Sequence, residues 1–228
     1  MSATEHRALG GTSLRVRSGS ATHVGRVRDH NEDSLLADGM VFAVADGLGG
    51  HAAGEVASRI AVDALAELRE HPASRPDDVA EVLRQANRRI LESQSRSAEQ
   101  RGMGTTVTGL TVVQAGGSEH WVVFNVGDSR VYHVADGGMS QVTRDHSEVR
   151  ELVDAGVIDA AEAARHPLRN IITRSLGSDP APAVDSWELP ATSGERFVVC
   201  SDGLSNELDD EEILRVVVAE EDHEVVPS

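Results

Sequence analysis

Three short apolar runs that each end at an aspartate constrain the fold of this 228-residue chain more than any other feature. The runs are residues 40–45, 121–126 and 197–200, and the aspartates near their ends are Asp46, Asp128 and Asp202. Short apolar runs between turn residues are typical of buried strands. We therefore expect three strands to deliver carboxylates at their ends. An oxygen-only cluster of this kind suits Mg²⁺ or Mn²⁺, whereas zinc favours His and Cys ligands.

The Asp46-Gly47 pair has a second interpretation, because Asp-Gly is also a common hairpin turn. A simple turn likewise remains open for Asp128. Glycines at positions 47, 49 and 50 would let the backbone approach whatever the carboxylate holds, since a residue without Cβ tolerates close contacts and positive φ angles. The recurrence of the pattern at three strand ends favours a site over an isolated turn.

Arg28 precedes the acidic residues Glu32 and Asp33 by a few positions. An arginine in such a loop is either a solvated surface charge or a ligand for an anion. Its planar guanidinium binds phosphate through two parallel hydrogen bonds. The acidic neighbours, which belong to the same stretch as Asp46, favour the phosphate-binding interpretation.

The composition excludes several classes of partner and compartment. The 38 Asp and Glu residues outnumber the 21 Lys and Arg residues, which gives a net charge of −17 and makes nucleic acids and anionic membranes poor partners. Cys200 is the single cysteine, so no intrachain disulfide forms, and its apolar surroundings indicate a buried structural thiol. No segment reaches the roughly 18 apolar residues of a membrane span. We expect a cytoplasmic protein.

The hydrophobic pattern predicts one domain over residues 13–228, after a flexible N-terminus at residues 1–12. Apolar residues at helical spacing predict a helix after the glycine turn and a second from Asp77 to about Ser95. One or two edge strands are predicted within residues 14–25, further strands at 107–114, 119–126, 130–134, 184–189 and 196–200, and a helix at 209–219. The strands within 107–134 form a predicted antiparallel meander. Residues 144–183 are predicted to form a long excursion, which in a compact domain tends to be functional.

Six motifs in this order resemble those of the metal-dependent protein phosphatases, the type 2C serine/threonine phosphatases of the PPM family, in their bacterial form. The motifs are Arg28 with Asn31-Glu32-Asp33, residues 44–50, residues 102–106, residues 125–130, Asp145-His146-Ser147 and residues 200–203. The similarity runs from about Thr22 to Val218. It implies an α+β fold, a four-layer α-β-β-α sandwich of two antiparallel sheets flanked by helices, and identifies the excursion with a flap near the active site.

The resemblance also implies a binuclear Mg²⁺ or Mn²⁺ centre and the hydrolysis of phosphoserine and phosphothreonine in proteins by a metal-activated water. Such substrates would be the products of a serine/threonine kinase. Asp46 would bridge two metals, and the Gly47 carbonyl and Asp202 would be further ligands. Asp33, with Glu32 beside it, would complete the set of metal ligands. Asp128 would hold a third, weaker metal, and Arg28 would bind the phosphate group.

The chain departs from the family pattern in two places. Leu48 stands where some members have a histidine that is a candidate general acid, so that a metal-bound water or another group, such as His51, would protonate the leaving group. The family pattern also ends with an Asp-Asn pair and a final strand, which nothing after Asp202 matches. We therefore expect a domain that is incomplete at its C-terminus. Three explanations are open: truncation of a complete phosphatase, natural degeneration, or replacement of the lost carboxylate by Glu221 or Asp222.

This second departure leaves two function classes open. The first is an active phosphatase, and the second is a catalytically impaired module that binds phosphoproteins or partners without turnover. Two further classes lack their signatures. The chain has neither the spaced Asp/Asn loop of a calcium-binding EF-hand nor the Gly-rich Lys-Ser/Thr loop of a nucleotide hydrolase.

Overall fold

The computed structural model describes residues 4–7, 14–26, 28–49 and 52–222. The strands are β1 Thr4–Arg7, β2 Arg15–Ser18, β3 Ser34–Asp38, β4 Val41–Ala45, β5 Gly47–Leu48, β6 Gly104–Thr105, β7 Val107–Ala115, β8 Ser118–Val126, β9 Arg130–Ala135, β10 Gly138–Gln141, β11 Asp185–Pro190 and β12 Arg196–Cys200. The helices are α1 Ala52–Ala66, α2 Pro76–Arg96, α3 Glu148–Asp154, α4 Ala160–Ala163, α5 Asp202–Ser205 and α6 Asp210–Asp222, with 3₁₀ turns at Glu67–Arg69 and Ala98–Gln100.

The larger sheet has five antiparallel strands in the order β11-β8-β7-β4-β3. Its central strand, β7, is buried over most of its length because one face meets helices and the other meets a second sheet. Helices α1 and α2 cover the first face, where Ala57, Leu65, Leu83 and Ile90 are completely shielded from solvent. The apolar stripe predicted for these two helices is thus the layer that covers this sheet.

The smaller sheet has the order β10-β9-β12 and packs on the opposite face of the larger one. An aromatic contact joins the two sheets, since the Trp121 ring of the larger sheet meets Phe197 of the smaller one edge-on at 5.4 Å between centroids. Within the larger sheet, Trp121 also meets Phe42 edge-on at 6.4 Å. Helix α6 buries Ile213 and lies beside β10. The molecule therefore has the α-β-β-α layers that the resemblance implied.

The predicted meander is wrong at its third strand. β9 does not pair with β8 but leaves the larger sheet and pairs with β12, with Val131 opposite Val199. The chain changes sheets at Gly127, whose φ of +117° is unfavourable for residues with a Cβ. A Cβ at this position would also lie 2.5 Å from the Cβ of Thr106. The Gly-Asp-Ser corner is therefore a crossover between sheets and not a hairpin turn.

Two predictions near the N-terminus also need correction. Thr4–Arg7 forms a strand that pairs with Arg15–Ser18, so this part of the predicted flexible N-terminus is ordered. The other residues before Leu14 lie outside the described part of the chain. The strand predicted over residues 14–25 ends at Ser18, and residues 19–26 form a loop.

The other predicted elements lie close to their expected positions. The second helix is Pro76–Arg96, with a proline in its first turn, and α6 extends to Asp222. The excursion over residues 144–183 contains α3 and α4. In the described ranges, no helix is long and apolar enough to cross a membrane.

Gly109 provides a test of how tightly β7 is held between its neighbours. A Cβ at this position would lie 2.2 Å from the Phe42 carbonyl oxygen and 2.8 Å from the Phe124 ring. We expect Gly109→Ala to lower the free energy of unfolding by about 1–3 kcal/mol, as overpacking of a core does, measured by urea denaturation.

The control is Gly138→Ala in β10, where a Cβ would meet only the Ala135 carbonyl oxygen at 3.7 Å. This exposed substitution should change stability by less than about 0.5 kcal/mol. Equal effects of the two substitutions would contradict the packing described for β7.

Candidate active site

Strand register brings the predicted site residues to one end of the two sheets. Ser34 of β3 pairs with Ala45 of β4, so Asp33 and Asp46 are the next residues along two neighbouring strands. Cys200 of β12 pairs with Arg130 of β9, which likewise brings Asp202 and Asp128 to a shared strand end. The Ser201 hydroxyl then links the two groups by donating a 2.8 Å hydrogen bond to the Asp33 carboxylate.

The backbone of Asp46 is fixed from the neighbouring strand. Its N–H donates to the Thr106 hydroxyl at 3.1 Å, and its carbonyl accepts the Thr106 N–H at 2.9 Å and the Thr105 hydroxyl at 2.8 Å. The Thr106 hydroxyl also lies 2.8 Å from the Ser129 hydroxyl beside Asp128. Thr106 therefore connects two of the strand-end aspartates. The sequence motif at residues 102–106 identified this segment but not its role, because its contacts are remote along the chain.

Gly47 and Gly54 form a close backbone contact around Glu32. A Cβ on Gly47 would lie 2.2 Å from the Gly54 carbonyl oxygen, and a Cβ on Gly54 would lie 2.6 Å from Glu32 Oε1. The Gly47 N–H and the Ser58 hydroxyl both donate to the Glu32 carbonyl, at 3.2 and 2.6 Å. Glu32 Oε1 is buried without a hydrogen-bond partner among the described residues. Such an acceptor is costly to bury unless a ligand or water satisfies it.

The pKa values of Asp33, Asp46 and Asp128 are all raised by burial and by neighbouring carboxylates. Burial, followed by the charges of Asp33 and Asp202, raises the pKa of Asp46 to about 8. Burial, followed by the charges of Asp202 and Asp145, raises the pKa of Asp128 to about 6. Burial also raises the pKa of Asp33, although the hydrogen bond from Ser201 opposes this shift. Half-buried carboxylates that repel one another in this way favour either a proton or a cation.

The chemistry of these donors fits a hard divalent cation, because they are carboxylate and carbonyl oxygens. Within the described ranges, however, no three His, Cys, Asp or Glu side chains stand in an arrangement that could hold a metal ion directly. The carboxylates are close enough to interact electrostatically without being arranged as a set of ligands. The unpartnered Glu32 oxygen is the further observation that fits a cation at this end of the sheets.

Arg28 lies beside this cluster with its side chain in solvent. The side chain is 78% exposed, and its guanidinium lies 3.7 Å from the Glu32 carboxylate. Its charge lowers the pKa of Asp33 against the larger effect of burial. An exposed guanidinium at the rim of an acidic cluster is free to meet an anionic group that the cluster alone would repel.

The remaining candidate residues have varied outcomes. Cys200 is buried, as predicted, and burial raises the pKa of its thiol to about 11. Leu48 pairs with Gly104 in a two-residue ladder. Gly50 and His51 lie outside the described residues, and the side chains of Glu221 and Asp222 are not described either.

Comparisons with known proteins identify the family of this chain. Residues 22–222 match the family described as protein phosphatase 2C. The chain is 39% identical over 222 residues to the serine/threonine protein phosphatase PstP of Mycobacterium tuberculosis, a match that covers 94% of this chain and 42% of the relative. This chain thus spans less than half the length of that relative.

Two other matches cover most of this chain and most of the matched protein. The serine/threonine phosphatase stp of Listeria innocua is 37% identical over 212 residues, covering 85% of this chain and 81% of the relative. The crystal structure of the catalytic domain of PstP in complex with two manganese ions superposes with a TM-score of 0.73 at 39% identity, covering 84% of this chain and 79% of that one. The chain therefore belongs to the protein phosphatase 2C family.

Proposed function

We propose that this chain is a metal-dependent phosphatase that hydrolyses phosphoserine and phosphothreonine in proteins. The observation that carries the proposal is the gathering of four aspartates at one end of the sheets, with the pKa of Asp46 raised to about 8. Family membership supports it, and related proteins carry the name of serine/threonine phosphatase.

In this proposal, two divalent cations, Mg²⁺ or Mn²⁺, are held by Asp46, the Gly47 carbonyl, Asp33 and Asp202, with Glu32 beside them. Asp128 holds a third and weaker cation. When bound, the cations supply a water of lowered pKa and offset the charge on the phosphoryl oxygens. A cation also removes the repulsion that raises the carboxylate pKa values, since it favours the ionised form of each ligand.

The chain's own residues bind and orient the substrate. The exposed guanidinium of Arg28 binds two oxygens of the phosphoryl group and holds it against the acidic cluster. Thr105 and Thr106 keep the Asp46 backbone in place while charge builds up nearby. The buried thiol of Cys200, with its raised pKa, is unsuited to nucleophilic attack, so the proposal needs no covalent intermediate.

The proposed substrates are cytoplasmic phosphoproteins made by a serine/threonine kinase. The net charge of −17 disfavours nucleic acids and anionic membranes as competing partners. A phosphoprotein, in contrast, presents its charge as a single group that Arg28 and the cations can neutralise locally.

The first test is the hydrolysis of a phosphothreonine peptide with and without millimolar Mn²⁺. We expect turnover only with the metal, and Asp46→Asn should lower it by more than about 100-fold, since a ligand is removed. Asp154→Asn is the matched control, because it neutralises a carboxylate on α3 that pairs with Arg150 at 2.9 Å. This control should retain the wild-type rate.

A cooperatively folded protein without metal-dependent turnover would contradict the proposed activity. Retained binding of the phosphopeptide by such a protein would then support a module that binds phosphoproteins without hydrolysing them.

A second prediction concerns Arg28. Arg28→Lys keeps the charge but loses the planar pair of donors, so we expect the KM for the phosphopeptide to rise about tenfold. Stability should not change, because the side chain is 78% exposed. The comparison is Arg26→Lys, an exposed arginine two positions earlier. Equal KM values for the two variants and the wild type would rule out the phosphate-binding role of Arg28.

A further inference from the structure

The excursion over residues 144–183 is closed at its base by a short antiparallel contact. The Glu148 N–H donates to the Ile171 carbonyl at 2.9 Å, and the Thr173 N–H donates to the His146 carbonyl at 2.9 Å. Ser147 and Ile172 form a bridge between these two bonds. We call residues 146–148 and 171–174 the neck of the excursion. Residues 149–170, which contain α3 and α4, are joined to the rest of the chain through this neck.

One residue of the neck, His146, forms two hydrogen bonds with Gly127, at the corner that precedes Asp128. The Gly127 N–H donates to Nδ1 of His146 at 3.0 Å, and the His146 N–H donates back to the Gly127 carbonyl at 2.9 Å. The His146 side chain is 1% exposed. In a neutral ring, a hydrogen bond accepted by Nδ1 leaves the proton on Nε2. Burial lowers the pKa of this imidazole, which is consistent with a neutral ring.

Asp185 holds the other side of the ring. His146 Nε2 lies 3.1 Å from Asp185 Oδ2, while Arg174 Nη1 donates to Asp185 Oδ1 at 2.9 Å. Asp185 is the first residue of β11 and pairs with Asn125 at the end of β8. A carboxylate fixed to the larger sheet thus joins His146 from one side of the neck to Arg174 from the other.

Apart from His146, Gly127 and Ser129 contact mainly Thr106 and Asn125. Towards β7, Gly127 rests against Thr106, and Ser129 reaches the Thr106 hydroxyl at 2.8 Å. The Gly127 carbonyl also accepts the Asn125 amide at 2.9 Å. The Gly127 N–H, however, is held by the His146 ring. Because His146 contacts both the N–H and the carbonyl of Gly127, it restrains the backbone conformation that leads into Asp128.

We propose that His146 and Asp185 are positioning residues that couple the neck of the excursion to Asp128 and thereby tune the third cation site. The inference rests on the proposed function, because that function assigns the third cation to Asp128. It goes further by assigning a role to a pair of residues, 39 positions apart, that contact neither cation nor substrate in the proposal.

Asp185→Asn is the principal test variant. It keeps the size of the side chain and an oxygen acceptor for His146, but it loses the charge that holds Arg174. The matched control is Asp154→Asn, which removes a carboxylate paired with Arg144 and Arg150 within the same excursion. Within the described part of the chain, Asp154 makes no hydrogen bond or ion pair with residues 127–129.

The first readout is the hydrogen exchange of the Gly127 amide in chelator, which requires no metal. Asp185→Asn should raise the exchange rate about tenfold, because the ring that accepts this N–H is less firmly oriented. The control should exchange at the wild-type rate. Equal protection of Gly127 in Asp185→Asn and wild type would overturn the positioning role, whatever the fate of the proposed activity.

The second readout is a calorimetric titration of the intact chain with Mn²⁺. Asp185→Asn should weaken the weakest binding step about tenfold, which is the usual effect of losing a residue that orients a ligand, and leave the tighter steps unchanged. Asp128→Asn should remove that weakest step. A uniform loss in all steps would indicate only a structural role for Asp185 and would overturn the coupling.

Conservative replacement of Arg174 provides an independent check. Arg174→Lys retains the positive charge beside Asp185 and should keep the weakest Mn²⁺ step near wild type, whereas Arg174→Gln should behave like Asp185→Asn. Equal effects of the two substitutions would contradict the ionic contact. Absence of any Mn²⁺ binding by the wild type would refute the proposed function and the link to a cation, and the exchange of Gly127 would still decide the positioning role.

Discussion

Electrostatic repulsion among carboxylates at one end of the two sheets is the constraint on which the rest of the structure depends. Asp46 sits among three other aspartates, and burial together with their charges raises its pKa to about 8. Placing several negative charges close together in a half-buried site lowers the stability of the folded state. A protein can maintain such a cluster only if the surrounding backbone is fixed by interactions that do not depend on the carboxylates themselves.

The sandwich provides that fixed surrounding. The larger sheet carries Asp33 and Asp46 at adjacent strand ends, and the smaller sheet carries Asp202 at the end of β12. The separation of the two groups is therefore set by how the sheets pack, through contacts such as that between Trp121 and Phe197. The hydroxyls of Thr105 and Thr106, at the junction of β6 and β7, then fix the Asp46 backbone. Stability of the core and geometry of the site are in this way two aspects of one packing arrangement.

The sequence predicted the features that depend on local pattern. Apolar periodicity predicted α1 and α2, and the apolar runs before Asp46 and Asp202 predicted strands that the structure contains. The predicted meander was wrong because a Gly-Asp-Ser sequence is compatible both with a turn back into the same sheet and with a crossover to another sheet. Only the packing of Gly127 against Thr106 distinguishes the two cases. The contact of His146 with Asp185 was missed for the same reason, since it joins distant segments and leaves no local signal.

The most direct test of the central constraint is the free energy of unfolding in chelator between pH 5 and pH 8, for wild type and Asp46→Asn. The pKa of Asp46 is raised from 3.8 to about 8 on folding, so the folded state binds more protons in this window and stability should fall as pH rises. Asp46→Asn should flatten this fall, and saturating Mn²⁺ should reverse it in the wild type only. Identical pH profiles for the two proteins would contradict the account.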